Sequence, residues 1–205
     1  MSVCIVKLGG SLYDSAQLPA WLDAIASAGA GKVIVVPGGG PWADAVRRAQ
    51  LSEGFDERTA HWRALRAMER YASVLAGMRR AFIPAHSTAA MQAILRHRGI
   101  ALWMPYAMVA AQPTIPASWD VSADSLAAWL AQHLDAAALM LVKSVRIERP
   151  QPDIAELTRR GWVDRAFGRF TSNASFPVTV FGPGDQSAAH AMLSFSLAAV
   201  SRRTR

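Results

Sequence analysis

Cysteine is almost missing: Cys4 is the only one in 205 residues. A disulfide framework and a cysteine-built metal site are therefore excluded. Inside an apolar run, the lone thiol reads as inert core. Lysine is nearly as scarce. Lys7, Lys32 and Lys143 are the lysines, and the other 19 of the 22 basic residues are arginine. Charged residues make up 18% against 52% apolar, an alanine-leaning globular composition that excludes disorder. No apolar run approaches the ~18–20 residues of a membrane span. The N-terminus shows no basic region, apolar stretch and cleavage site in series, so a cytoplasmic protein is the expectation. Linkers, low-complexity tracts and internal repeats are absent as well, and residues 1–205 are expected to form a single domain. A net charge of +7 raises nucleic acid as a partner. No groove-reading or RNA-binding motif accompanies it, and the arginines scatter over predicted helices, clustering only at Arg202, Arg203 and Arg205. No nucleic-acid partner is expected.

What is present begins at the third residue. An apolar strand, Val3 to Val6, runs into Lys7-Leu8-Gly9-Gly10-Ser11, with a helical pattern over 14–28 carrying Leu18, Trp21, Leu22 and Ile25. A strand that delivers glycines to a helix start offers free N–H groups and a favourable dipole to an anion. Glycine lets the backbone approach closely, and a lysine adds a compact charge. The same turn without a ligand is a tight connection with a surface lysine. A second strand over 32–37 ends in Gly38-Gly39-Gly40, followed by Pro41 at a helix start. A strand–helix–strand unit of this length implies parallel strands and a right-handed crossover. Both glycine loops then lie on one edge of the sheet, the edge where open α/β sheets bind ligands.

Further along, a long helical pattern covers 56–76, with Trp62, Leu65, Met68, Tyr71, Ala72 and Leu75 on one face. That face is open to two readings, a core helix or an interface for a homodimer. His61 reads as a packed or surface residue, with substrate contact the second reading. A strand over 81–84, a helix over 87–98 capped by Ser87 or Thr88, and a strand over 100–105 follow. Residues 106–118, with Pro113 and Pro116, read as an irregular loop suited to substrate contacts. Ser122 and Asp124 head an apolar helix from Leu126, as cap and first turn. Asp120 and Asp124 are either capping carboxylates or, for Asp124, a group facing the glycine edge, where it orients lysines or holds Mg²⁺ through water. A strand over 137–142 then ends in Lys143-Ser144, repeating the opening pattern. Lys7 and Lys143 thus both terminate apolar runs, whereas Lys32 reads as a plain surface residue. A short helix over 153–160, a polar loop from Gly161 through Asn173, a strand over 177–181 and a helix over 188–199 complete the chain.

Lys7-Leu8-Gly9-Gly10-Ser11, Gly38-Gly39-Gly40, Ser122-x-Asp124 and Lys143, in that order, resemble the amino acid kinase superfamily of aspartate, glutamate, uridylate and isopentenyl phosphate kinases. The resemblance spans nearly the whole chain. It implies an α/β fold, a three-layer αβα sandwich with a mainly parallel open sheet, and an ATP-dependent small-molecule kinase working with Mg²⁺ carried by the nucleotide. By the same resemblance Lys7, Asp124 and Lys143 are catalytic: Lys7 on the transferring phosphoryl group, Lys143 on the nucleotide phosphates, Asp124 organising both. Gly9, Gly10, Ser11, Lys143 and Ser144 would bind the nucleotide, and Gly38, Gly39, Gly40, Asp120 and Ser122 the acceptor. An acceptor half of about 1–118 and a nucleotide half of about 119–205 follow. No Walker A sequence is present, which argues against a P-loop enzyme. Gly40-Pro41-Trp42-Ala43-Asp44, Ala60-His61-Trp62 and residues 119–125 are most similar to the small kinases of methanofuran-type cofactor synthesis, which act on an aminomethyl-furanylmethyl phosphate. Adenine contacts would fall to 165–175 and 182–185. A non-catalytic nucleotide- or oxyanion-binding member of the same fold is the competing expectation.

Overall fold

Uninterrupted apolar segments make the centre of the molecule. Residues 4–8, 33–37 and 138–142 are buried along their whole length, as strands of a parallel sheet covered on both faces must be. The computed structural model describes residues 3–148, 151 and 153–195. β1 (Cys4–Leu8), β2 (Val33–Pro37), β3 (Phe82–Ala85), β4 (Ile100–Trp103), β5 (Ala138–Val142) and β6 (Val178–Phe181) form one sheet in the order β3-β4-β2-β1-β5-β6. Every pairing is parallel. In β1 the alternation sends Val6 and Leu8 to one face and Ile5 to the other.

Helices cover both faces, so the expected three-layer sandwich is the fold observed. On one side α1 (Leu18–Gly29), the second half of α3 (Glu57–Met78) and α9 (Gln186–Phe195) bury Trp21, Tyr71, Leu75 and Leu193 against β1 and β2. On the other, α4 (Thr88–Arg96), α6 (Ala123–His133), α7 (Ile154–Arg159) and α8 (Phe167–Thr171) bury Met91, Leu126, Leu157 and Phe167. Crossovers from β1 to β2 and from β2 to β3 pass over the α1 face. Those from β3 to β4, β4 to β5 and β5 to β6 pass over the α6 face and travel the opposite way across the sheet. One hand is kept throughout, and the reversal falls between β1 and β5. That is the topological switch point, where the carboxyl ends of the strands open a crevice.

Several local expectations are corrected. The first long helix starts at Leu18 and not at 14, because Pro19 fits only its first turn and residues 10–12 form a 3₁₀ turn instead. Segment 106–118 contains a helix, α5 (Tyr106–Ala110), held down where buried Glu69 accepts from Tyr106 N at 3.1 Å. The polar loop through Asn173 contains α8, whose Phe167 fills the core. Lys32 is no free surface charge: its Nζ donates to the Leu193 carbonyl at 2.8 Å, near the C-terminal end of α9. Leu65, Met68, Tyr71, Ala72 and Leu75 of α3 are core residues. The cap of α4 is Ser87, which accepts from Ala90 N. The last predicted helix begins earlier, at Gln186, and its predicted end at Ala199 lies outside the described residues, as do Arg202, Arg203 and Arg205. Burial pushes the Cys4 thiol up to about 12, so it stays protonated and inert. Among the described residues no helix is long and apolar enough to cross a membrane.

Candidate functional site

The switch point carries the lysines. Lys7 is the penultimate residue of β1, and Lys143 follows β5 directly; Lys7 pairs in register with Leu141 of β5. Between the two stands Asp124, in the first turn of α6. Lys7 Nζ lies 2.9 Å from Asp124 Oδ1. Lys143 Nζ reaches both carboxylate oxygens at 2.7 Å. Lys7 and Asp124 are buried, 5% and 4% exposed. The cluster therefore holds one unit of positive charge in excess in a largely dry place, where it acts on an anion far more strongly than in water.

Burial alone would raise the Asp124 carboxyl, but the Lys143 and Lys7 ammonium groups outweigh it and hold the group at about 2. It is a fixed anion, with both oxygens engaged. Burial lowers Lys143 to about 8; Asp124 pulls it back up and the Lys7 charge presses it further down. The sign is clear: Lys143 is protonated below that value and loses its charge as the pH rises through it. Affinity for a polyphosphate is therefore expected to fall as the pH passes about 8, and calorimetric titration of pyrophosphate across a pH series checks it.

Asp124 can face the lysines because another residue does the capping. Ser122 occupies the N-cap of α6 without a cap bond from its own side chain, contrary to the expectation that Ser122 and Asp124 serve the free N–H groups. Asp164, from the loop after α7, accepts from Ser122 N and Ser125 N at 2.9 Å, from Ser122 Oγ at 2.8 Å, and from Ser125 Oγ. A carboxylate from 42 residues away satisfies the helix start and releases Asp124. No sequence signal marks Asp164, since its role exists only after the α7–α8 loop folds over α6.

The two glycine turns touch. Gly9 N donates to Val142 O at 2.9 Å and Gly38 N to Leu8 O at 2.8 Å, which ties both loops to the strand ends. A β-carbon on Gly10 would lie 2.5 Å from Gly40 N, and one on Gly38 would collide with Gly10 N. Gly40 also takes a positive φ of 55° to start α2 (Gly40–Glu53). Ser11 and Ser144 share a hydroxyl hydrogen bond at 2.7 Å, which closes the turn after β1 onto that after β5.

Two cavities meet at this cluster. The smaller, about 260 Å³, is lined by Lys7, both glycine loops, Asp44, Arg47, His61 and Trp119, with Leu65, Met68 and Val121 as apolar wall. The larger, about 610 Å³, is lined by Asp124, Lys143, Arg159, Trp162, Asp164 and Arg165. Ser122 borders both. Asp120 lines only the larger one, exposed, with Arg165 Nη1 3.5 Å from its carboxylate. Of the stretches expected to touch a base, Arg165 lines the larger cavity, whereas 182–185 does not. Arg47 lines both cavities, its guanidinium 4.1 Å over the Trp119 ring, and Trp119 Nε1 donates to Gln50 Oε1 at 2.6 Å. Nothing in the local sequence singles Arg47 out among so many arginines.

The sequence profile of the amino acid kinase family matches residues 2–147. The chain belongs to the amino acid kinase family. A (5-(aminomethyl)furan-3-yl)methyl phosphate kinase of Methanocaldococcus jannaschii is 27% identical over 143 residues, 69% of this chain and 65% of that kinase's length. The uridylate kinase of Archaeoglobus fulgidus superposes with a TM-score of 0.69 at 16% identity, covering 95% of this chain and 96% of that one. The aspartate kinase of Synechocystis gives 0.61 at 12% identity, over 88% of this chain and 38% of its own. These superpositions show a shared fold; the lysine–carboxylate cluster lies within the segment that the family profile matches.

Proposed function

We propose that this family member is an ATP-dependent kinase that passes a phosphoryl group to a small phosphorylated acceptor, an (aminomethyl)furanylmethyl phosphate, giving the diphosphate in methanofuran-type cofactor synthesis. The observation that carries the reading is the Lys7–Asp124–Lys143 cluster between two cavities of unequal size. The larger cavity suits a nucleotide, with Lys143 at its phosphates; of the other residues expected to bind the nucleotide, Gly10 and Ser11 line the smaller cavity and Gly9 and Ser144 line neither. The smaller suits an acceptor, with Gly38, Gly39, Gly40, Ser122 and Arg47 as its anion contacts. The acceptor half is then 1–118 and the donor half 119–205, with Arg47 spanning the boundary.

Phosphoryl transfer demands alignment and neutralisation of charge more than covalent help. Here two ammonium groups and two glycine loops, packed too closely for a β-carbon, fit phosphate oxygens. Among the described residues no group of acidic or histidine side chains is arranged to hold a metal, and both Asp124 oxygens are taken by lysines. Mg²⁺ would therefore ride on the ATP phosphates, where it supplies further neutralisation. Asp124, held at about 2, is no general base. An acceptor that is already an anion needs none, which favours a phosphate over an alcohol. A cavity of about 260 Å³ suits a single small ring with its phosphate, below the usual size for drug-like ligands.

The test is ADP release from Mg-ATP with the furanylmethyl phosphate, isopentenyl phosphate, UMP, aspartate and glutamate as acceptors. Turnover with the furan phosphate is expected. Turnover with another acceptor alone would keep the kinase and discard this acceptor. Nucleotide binding without any turnover would favour a non-catalytic binding member of the family.

A further inference from the structure

The two cavities share part of their lining. Arg47, Trp119 and Ser122 line both, and among the described residues Arg47 is the one charged side chain that does. Arg63 and Arg66 of the neighbouring α3 are matched by Glu53 and Glu69, whereas Arg47 joins no ion pair and donates no hydrogen bond among the described residues. What holds it is an aromatic ring. Its guanidinium lies 4.1 Å over the centre of the Trp119 ring, a contact that engages the positive charge and leaves the N–H donors unused. The ring is itself fixed. Trp119 Nε1 donates to Gln50 Oε1 at 2.6 Å, and Gln50 Nε2 donates to the Phe55 carbonyl at 3.3 Å, just beyond the end of α2. Gln50 follows Arg47 by three residues, so one face of α2 carries both the arginine and the anchor of its ring.

Fixing a long cationic side chain loses conformational entropy, and a guanidinium held with free donors suits the oxygens of a phosphate. Its place decides which phosphate. In the transfer an oxygen of the acceptor phosphate bonds to the γ-phosphorus of ATP. The bond from that phosphorus to its bridging oxygen breaks, and the electron pair leaves on ADP; with a dianionic acceptor no proton need move. Negative charge is then most crowded between the two phosphates, where the cavities meet. Lys7 lines only the smaller cavity and Lys143 only the larger, and the Lys7–Asp124–Lys143 cluster supplies one excess positive charge. We propose that Arg47 is a catalytic residue that bridges the acceptor phosphate and the phosphoryl group in transfer, and that Trp119, fixed by Gln50, is the positioning residue that holds it there. This rests on the kinase reading and its assignment of the two cavities, and it adds a bridging cation to the lysine–glycine machinery.

The test is steady-state kinetics of the intact protein with Mg-ATP and (5-(aminomethyl)furan-3-yl)methyl phosphate, isopentenyl phosphate or UMP, whichever wild type turns over. Arg47→Met is expected to lower kcat by about 10²-fold, with a smaller change in either KM. Arg47→Lys, which keeps the charge and loses the fork, is expected to recover part of that loss. Arg47 is exposed on α2, so both variants are expected to melt with wild type. Trp119→Leu is expected to lower kcat by about tenfold, the scale of one aromatic contact to a cation. In the Arg47→Met background the same change should lower it no further, because a residue that acts through the arginine has nothing left to position. An Arg47→Met protein with wild-type kcat would overturn the bridge, and a Trp119→Leu loss of equal size in both backgrounds would overturn the positioning; either result leaves the kinase in place. A wild type that turns over no phosphate acceptor would remove the kinase reading itself, and the bridge with it.

Discussion

Replacing Lys7 by alanine is expected to lower kcat by about 10²–10³-fold, the scale for removing one preorganised charge or donor from a site where negative charge shifts. The variant should fold, since Asp124 keeps its two 2.7 Å contacts with Lys143. A second consequence separates this electrostatic role from simple loss of packing. The Lys7 charge is one of the causes that hold Lys143 down at about 8. Without it Lys143 keeps its proton to higher pH, so the alkaline limb of polyphosphate binding moves upward. A Lys7→Ala protein with full phosphoryl transfer would sink the proposed function. One with lost transfer and an unmoved alkaline limb would sink the account of the coupling.

Replacing Asp124 by alanine is expected to have the largest effect on stability. It leaves two ammonium groups side by side in a buried site, with their shared counter-charge gone. Breaking a buried pair by deleting one partner costs about 3–5 kcal/mol, a fall in Tm of roughly 6–20 °C for a chain of this size. Wild type should lose the corresponding stabilisation only in acid. The carboxyl sits at about 2 in the folded chain against an ordinary 3.8, so its contribution is complete above the ordinary value and disappears as the pH falls through about 2. Anions distinguish this cause from a packing defect. Pyrophosphate or ATP can replace the missing counter-charge, and by mass action should raise the Tm of the variant more than that of wild type. Thermal melts with and without pyrophosphate decide it; an unchanged Tm in the absence of ligand would contradict the role given to Asp124.

Both expectations turn on a cluster whose members are far apart in the chain. Lys7 and Lys143 were legible because each terminates an apolar run, where an ammonium group is out of place unless something uses it. The glycine turns were legible because a strand that ends in glycines before a helix has few other reasons to do so. His61 was readable only as a histidine on a helix. Only the fold shows that it is buried on α3, with Nε2 left without a hydrogen-bond partner. Helices α5 and α8 escaped notice because five-residue helices are too short to show a period, and they are held by tertiary contacts such as Glu69 to Tyr106 N.

The amino-acid sequence by itself determined the strands, the parallel order of the early units and the edge on which the glycines and lysines gather. These follow from runs of apolar residues and from glycine and proline, whose effects are local to the backbone. Tertiary structure alone decided which carboxylate caps α6 and which one holds the lysines. Ser122, Asp124 and Asp164 all had the chemistry of a cap. Asp164 took that place because the α7–α8 loop folds over the start of α6, and Asp124 was left to face two ammonium groups that only the sheet brings within 3 Å of it. Charge acts through space with no memory of sequence distance, so a site built from charges is settled only when the chain has closed around it.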